Sequence, residues 1–151
     1  MCTALQELYF ARYRGVKAWQ KKVEEQIKTR GCLPSASGHI RTFFGRRNNS
    51  ETFRQAYAQE PQHNTTYATN RAILNLWEDS DNRNPDGSLI IEPHHQVHDA
   101  LNGSFPVSKT EWAIPRIRSY FNFTIPIAGQ SIRIPFEGEY GENWGDKIGE
   151  I

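Results

Sequence analysis

Cysteine is almost missing from this sequence: Cys2 and Cys32 are the only two, too few for a disulfide scaffold. No stretch approaches the roughly 20 consecutive apolar residues needed to cross a bilayer, and no N-terminal apolar run resembles a secretory leader. These absences point away from the membrane and towards a reducing, intracellular compartment. Glycine-rich phosphate loops, a nucleophile elbow and Cys-x-x-Cys pairs are missing too, which removes the commonest nucleotide, acyl-transfer and redox signatures. Apolar residues make up 37%, somewhat low for a globular chain, but 12% aromatics argue against disorder. At 151 residues the chain can bury one core-bearing domain, with surface left over for a partner.

What is present is unevenly charged. Residues 1–54 carry 11 Lys/Arg against 4 Asp/Glu, whereas residues 55–151 carry 7 against 13, so a net of +7 faces a net of −6. Such a split suits a protein that holds a polyanion on one side and metal or partner groups on the other. Solvated helix faces of differing sign would give the same count.

From Leu5 to about Arg30 apolar residues recur at three- and four-residue spacing, which predicts a helix ended by Gly31 and open to a break at Gly15. Residues 37–47 read as a short hairpin. A helix over 51–60 should stop near Pro61, and a second should run from about Thr65 to Glu78. Asp86-Gly87 closes a polar turn. Two strands, 88–97 and 100–105, should meet at His98-Asp99, with Pro93 forcing a bulge or an edge. Ser108 and Glu111 form a capping box for a helix through Tyr120, and 123–136 alternates as a strand pair around Gly129-Gln130. The expected fold is α+β, with helices on a small antiparallel sheet, divided into a basic segment 1–50 and a sheet-bearing part 51–151.

The sharpest local feature is Gln96-Val97-His98-Asp99, where one strand turns into the next. A hairpin tip holds a carboxylate rigidly and exposes it, although an aspartate in a turn is often only a turn former. His94, His95 and His98 with Asp99 also suggest zinc. Strand alternation directs His95 away from His94 and His98, leaving at most two imidazoles and a carboxylate.

Gln96-Val97-His98-Asp99 resembles motif C of the family A DNA polymerases, usually Gln-Val-His-Asp-Glu. Further segments match in the same order. Arg12-Tyr13-Arg14-Gly15-Val16 resembles the Arg-Tyr-Pro-Gly-Val stretch after the fingers helix. Gly31 through Arg47 resembles the stretch ending in Gly-Arg-Arg. Pro61-Gln62 is similar to the Pro-Gln-Gly/Ser-Thr segment that opens a palm helix. Phe136-Glu137-Gly138 and Gly141-Glu142-Asn143-Trp144-Gly145 are like the ending of the phage members.

The resemblance implies a palm-like fragment of a DNA-directed DNA polymerase, in the cytoplasm of a bacterium or phage-infected cell. Asp99 becomes a catalytic ligand of Mg2+, and His98 a contact to the primer terminus. Gln62 and Gln96 become readers of the minor groove of primer–template DNA, and Arg46 and Arg71 contacts to its backbone. The implied reaction is attack of a primer 3′-hydroxyl on the α-phosphate of a deoxynucleotide triphosphate, with pyrophosphate leaving. Departures are equally plain: Ala100 replaces the usual Glu, Arg14 the usual Pro, and His63-Asn64 the usual Gly or Ser. The family's motif A aspartate and the fingers cations do not occur, yet two-metal transfer needs at least two carboxylates and cations for the triphosphate. The expectation is a split polymerase, favoured by Met1 and the family-like ending, with a protein partner bearing the remaining motifs or self-association without it. A non-catalytic accessory or relic that binds nucleic acid or protein is the alternative.

Overall fold

The computed structural model describes residues 2–151, so Met1, taken above as a natural start, lies outside the described residues. The chain forms two compact units that meet between His63 and Asn64.

In the first unit the expected long helix is two, α1 over Cys2–Arg12 and α2 over Arg14–Arg30. The break falls at Tyr13, two residues before Gly15. Its backbone (φ −114°, ψ 65°) leaves the helical region while its N–H still reaches Tyr9 O at 2.8 Å and its carbonyl accepts from Val16 N at 3.1 Å. α2 ends as expected at Gly31. The left-handed φ of +69° there brings the Gly31 N–H onto Ile27 O, a conformation that suits glycine. β1 (Cys32–Pro34) pairs antiparallel with β2 (Ile40–Thr42). The hairpin therefore starts earlier than residue 37, and Ser35–His39 form its turn through Ser35 N–H to His39 O at 2.7 Å. Val23 and Ile27 from α2, Leu33 and Phe43 around the hairpin, and Ala56 make the core, with Trp19, Phe53 and Tyr57 against it.

One helix, α3, runs unbroken over Ser50–Glu78 in place of the expected pair. Pro61 cannot donate to the carbonyl of Tyr57, a loss of about 3 kcal/mol with the ring clash. Burial of Ala56 and Gln59 before it and of Asn64, Ala68 and Thr69 after it favours helix on both sides, so the proline is tolerated inside it.

In the second unit α3 is followed by a 3-10 turn, Ser80–Asn82, and by the expected turn at Asp86-Gly87, where Gly87 has φ +87°. β3 (Glu92–Val97) and β4 (Ala100–Ser104) pair antiparallel, and their register shifts between Pro93 and His95, the bulge that Pro93 foretold. Opposite it, a Cβ on Gly103 would lie 2.4 Å from the Glu92 carbonyl oxygen, so the strands approach closely only because Gly103 has none. The expected capping box does not form. A 3-10 turn over Val107–Lys109 precedes α4 (Thr110–Tyr120), Lys109 occupies the cap without a side-chain bond, and Thr110 Oγ1 donates to Val107 O at 2.7 Å. β5 (Ile125–Ile127) and β6 (Gln130–Ile132) form the expected pair, turning at Ala128-Gly129. β7 (Glu139–Gly141) and β8 (Lys147–Glu150) add a hairpin that the sequence did not announce. Ala72, Leu76, Ile91, Ala113 and Tyr120 make the core of this unit.

The fold is α+β, with helices packed against small antiparallel hairpins. Among the described residues the eight strands form four separate two-stranded pairs where one small sheet was expected. Pro34, Pro93 and Pro126 sit within strands and remove ladder donors, and most strands are only three residues long. No described helix is long and apolar enough to cross a membrane.

Candidate functional site

The β3–β4 hairpin reverses over two residues, His98 and Asp99, with Val97 paired to Ala100. Such tight reversals favour positive φ, and His98 supplies it at φ +56°, a value uncommon outside glycine. Two bonds hold the reversal. Thr69 on α3, 2% exposed, donates its hydroxyl to the backbone oxygen of Asp99 at 2.8 Å. Gln96 Nε2 donates to the carbonyl of His98 at 3.2 Å. The side chains of Gln96, His98 and Asp99 are exposed on this anchored tip.

The other histidines go elsewhere. His94 Nε2 bonds Ser104 Oγ at 2.8 Å, while His95 stacks on Trp144 with centroids 5.5 Å apart and planes at 8°. They diverge as alternation requires, and among the described residues no three His, Cys, Asp or Glu side chains converge as a metal site would need. The tip thus offers a single carboxylate. A pair of Mg2+ ions needs at least two, so Asp99 by itself does not fit that pair.

Gln96, His98 and Asp99 are brought together by the hairpin. Arg71 belongs to the same unit, exposed on α3. Gln62, exposed on α3, and Arg46 belong to the first unit, where the Arg46 carbonyl accepts from Asn49 N at 3.0 Å in the turn leading into α3.

Sequence reasoning missed the most perturbed group of ionisable side chains. Arg116 of α4 grips Asp79 with two bonds, Nε to Oδ2 at 2.5 Å and Nη2 to Oδ1 at 2.9 Å, and Tyr120 donates to Asp79 Oδ2 at 2.6 Å. Arg116 also reaches Asp81 at 2.7 Å, and its guanidinium lies over the Trp112 ring at 4.9 Å. The bonds from Arg116 hold the Asp79 carboxyl well below the usual carboxylate range despite burial. Burial first, then the Asp79 carboxylate, raises the Tyr120 phenol, and Asp79 raises Arg116 in turn. A shallow cavity of about 540 Å³ opens beside Trp112, Pro115 and Ser119. Perturbed groups often mark active sites, but structural ion pairs perturb as strongly. Every oxygen of Asp79 is already bonded, so the cluster clamps α4 to the end of α3 and leaves no proton acceptor to spare. The signal lay in the spacing: Trp112, Arg116 and Tyr120 recur every four residues on one face of α4.

No protein-family model matches the chain, and no curated protein and no solved structure is significantly similar to it.

Proposed function

We propose that the chain is the C-terminal part of a family A-like DNA-directed DNA polymerase, contributing Asp99 to a nucleotidyl-transfer site that a partner protein completes. What carries the reading is the anchored reversal. A sequence resembling motif C folds as a two-residue turn, tied to a buried threonine through its backbone, with Asp99 and His98 exposed and the exposed Gln96 bonded through its amide to the His98 carbonyl. The ordered run of resembling segments supports it as well.

In this reading Asp99 is one acid of the pair that Mg2+ requires, and the second arrives on the partner with the fingers cations that neutralise the triphosphate. His98 and Gln96 touch the primer terminus and its minor groove, where amide groups meet acceptors that every base pair presents. Gln62 shares that task, and Arg46 and Arg71 engage the phosphate backbone as forked donors.

The test is reconstitution. The purified chain alone should neither extend a primer nor bind Mg2+ tightly. Mixed with a protein bearing an Asp-Tyr-Ser-Gln type motif and a fingers helix, sought first in the neighbouring reading frame, it should extend. Asp99→Asn should abolish that extension while the complex still forms. Extension that survives Asp99→Asn refutes the mechanism. A stable complex whose activity ignores Asp99 identifies the accessory role, which the lone carboxylate and Ala100 beside it would also suit.

A further inference from the structure

The elbow between α1 and α2 carries an exposed aromatic surface beside a run of cations. Leu5, Leu8, Tyr9 and Tyr13 are 63%, 67%, 49% and 54% exposed, an unusual concentration for an 11-residue helix and the residue that follows it. The rings of Tyr9 and Tyr13 lie 5.0 Å apart, tilted by 47°. On α2, Arg14, Lys17 and Lys21 fall within an arc of about 60° and span about 10 Å of helix rise. That is the axial length of about three phosphates along a strand. Residues 14–23 contain no acid. The acids that follow are Glu24 and Glu25. Glu24 is held by the Tyr57 hydroxyl at 2.5 Å and by Lys28 at 3.4 Å, and of the run only Lys21 feels its charge.

A hollow of about 530 Å³ lies along the elbow, lined by Gln6, Phe10, Ala11, Arg14 and Lys17, with Glu7 its one acid. Lys17 Nζ stands 5.6 Å over the Phe10 ring. A solvated helix face accounts for the cations but gives no reason for two tyrosines to stand half exposed at the same elbow. A protein partner would cover the leucines but would not call for a phosphate-spaced row of cations.

We infer that this elbow binds single-stranded nucleic acid, bases stacking on Tyr9 and Tyr13 and phosphates lying along Arg12, Arg14, Lys17 and Lys21. Aromatic faces beside a cationic groove are the chemistry of sequence-tolerant single-strand binding, because every base has a π-face and every linkage a charge. The site lies in the first unit and uses none of the residues assigned to the catalytic hairpin. It therefore stands or falls apart from the polymerase reading.

The experiment uses the whole chain and a fluorescein-labelled oligothymidylate of about 15 nucleotides, with a duplex of equal length as comparison, read by anisotropy across a salt series. The single strand should bind more tightly than the duplex. Tyr9→Ala with Tyr13→Ala should weaken it about tenfold or more, and Tyr9→Phe with Tyr13→Phe should restore it, since the ring and not the hydroxyl does the stacking. Lys17→Gln with Lys21→Gln should weaken binding and flatten the log–log salt slope by about 1.4, two phosphates' worth of released counterions. Circular dichroism checks that the helices persist. Absence of binding at low salt, preference for the duplex, or indifference to the alanine pair each overturns the proposal. So does an alanine pair that changes only the mass of the chain in sedimentation, which would make the face a contact between copies.

Discussion

Replacing Asp79 by asparagine keeps the shape of the side chain and removes its charge. In the structure that carboxylate is 16% exposed and accepts from Arg116 twice, from Tyr120 once and from the Asp81 N–H once, while Arg116 is 25% exposed. Breaking a fully buried pair from one side costs about 3–5 kcal/mol, because the other charge stays behind uncompensated. Here water reaches both partners and Asp81 remains within reach of Arg116, so the cost falls to about 2–3 kcal/mol. Asp81 is 73% exposed, and Asp81→Asn should cost no more than about 0.5 kcal/mol. Urea unfolding followed by tryptophan fluorescence measures both, since Trp112 lies against the Arg116 guanidinium. The pH dependence has a definite sign. The folded carboxyl of Asp79 is depressed below its unfolded value of about 4, so its contribution is complete above that pH and is lost as pH falls from there through the folded value. Asp79→Asn should flatten this acid loss. Equal costs for Asp79→Asn and Asp81→Asn, or an unchanged acid limb, would refute the clamp.

Two further outcomes follow from buried polar contacts. Asn82, fully buried, donates to Leu76 O and Ile91 O and accepts from Ile91 N, so Asn82→Ala strands three backbone groups and should cost about 3 kcal/mol or more by urea unfolding. Tyr57 donates to Glu24 at 2.5 Å, and burial together with that carboxylate pushes its phenol up to about 12. Folding therefore holds its proton more tightly than the unfolded chain does, and stability should fall as pH rises from about 10 through 12. Tyr57→Phe should remove that part of the alkaline loss, as a pH series of unfolding midpoints would measure.

The parts of the fold that were legible are those in which one physical preference acted alone. Val16, Trp19, Val23 and Ile27 repeat at helical spacing and Gly31 supplies the left-handed stop, so α2 was readable to its last residue. Pro93 foretold a bulge or an edge because a strand residue without an N–H has few other places to go, and the register shifts beside it. Pro61 misled for the opposite reason. A local penalty was read as decisive although apolar and small residues on both sides favoured continuing the helix. Ser108 had the spacing of a cap but lies within a 3-10 turn, which takes the chain into α4 by another route. The β7–β8 hairpin, with strands of three and four residues, is too short for alternation to announce it. It rests on Lys147 bonding both Glu139 and Glu150 and on Tyr140 lying against the bare Cα of Gly149, where a Cβ would come within 2.7 Å of the ring. Asp79 and Arg116, 37 positions apart, could be paired only once the helices were in hand.

The hairpin tip was located by sequence, but the manner of its anchoring was not, and that manner decides what a substitution can mean. Thr69 takes the carbonyl of Asp99 and leaves its carboxylate untouched, while Gln96 takes the carbonyl of His98. Both ties run through backbone, so the reversal does not depend on which side chain stands at position 99. A residue whose charge supports no fold contact can be neutralised at almost no cost in stability. Any loss that follows Asp99→Asn therefore reads out chemistry or assembly, with folding unaffected. Thr69→Val carries the converse: it frees the Asp99 carbonyl at a cost of about 1 kcal/mol and loosens the tip with its charge intact. An active site built on this turn needs the carboxylate and the tether alike, whereas a mere turn former needs the tether alone.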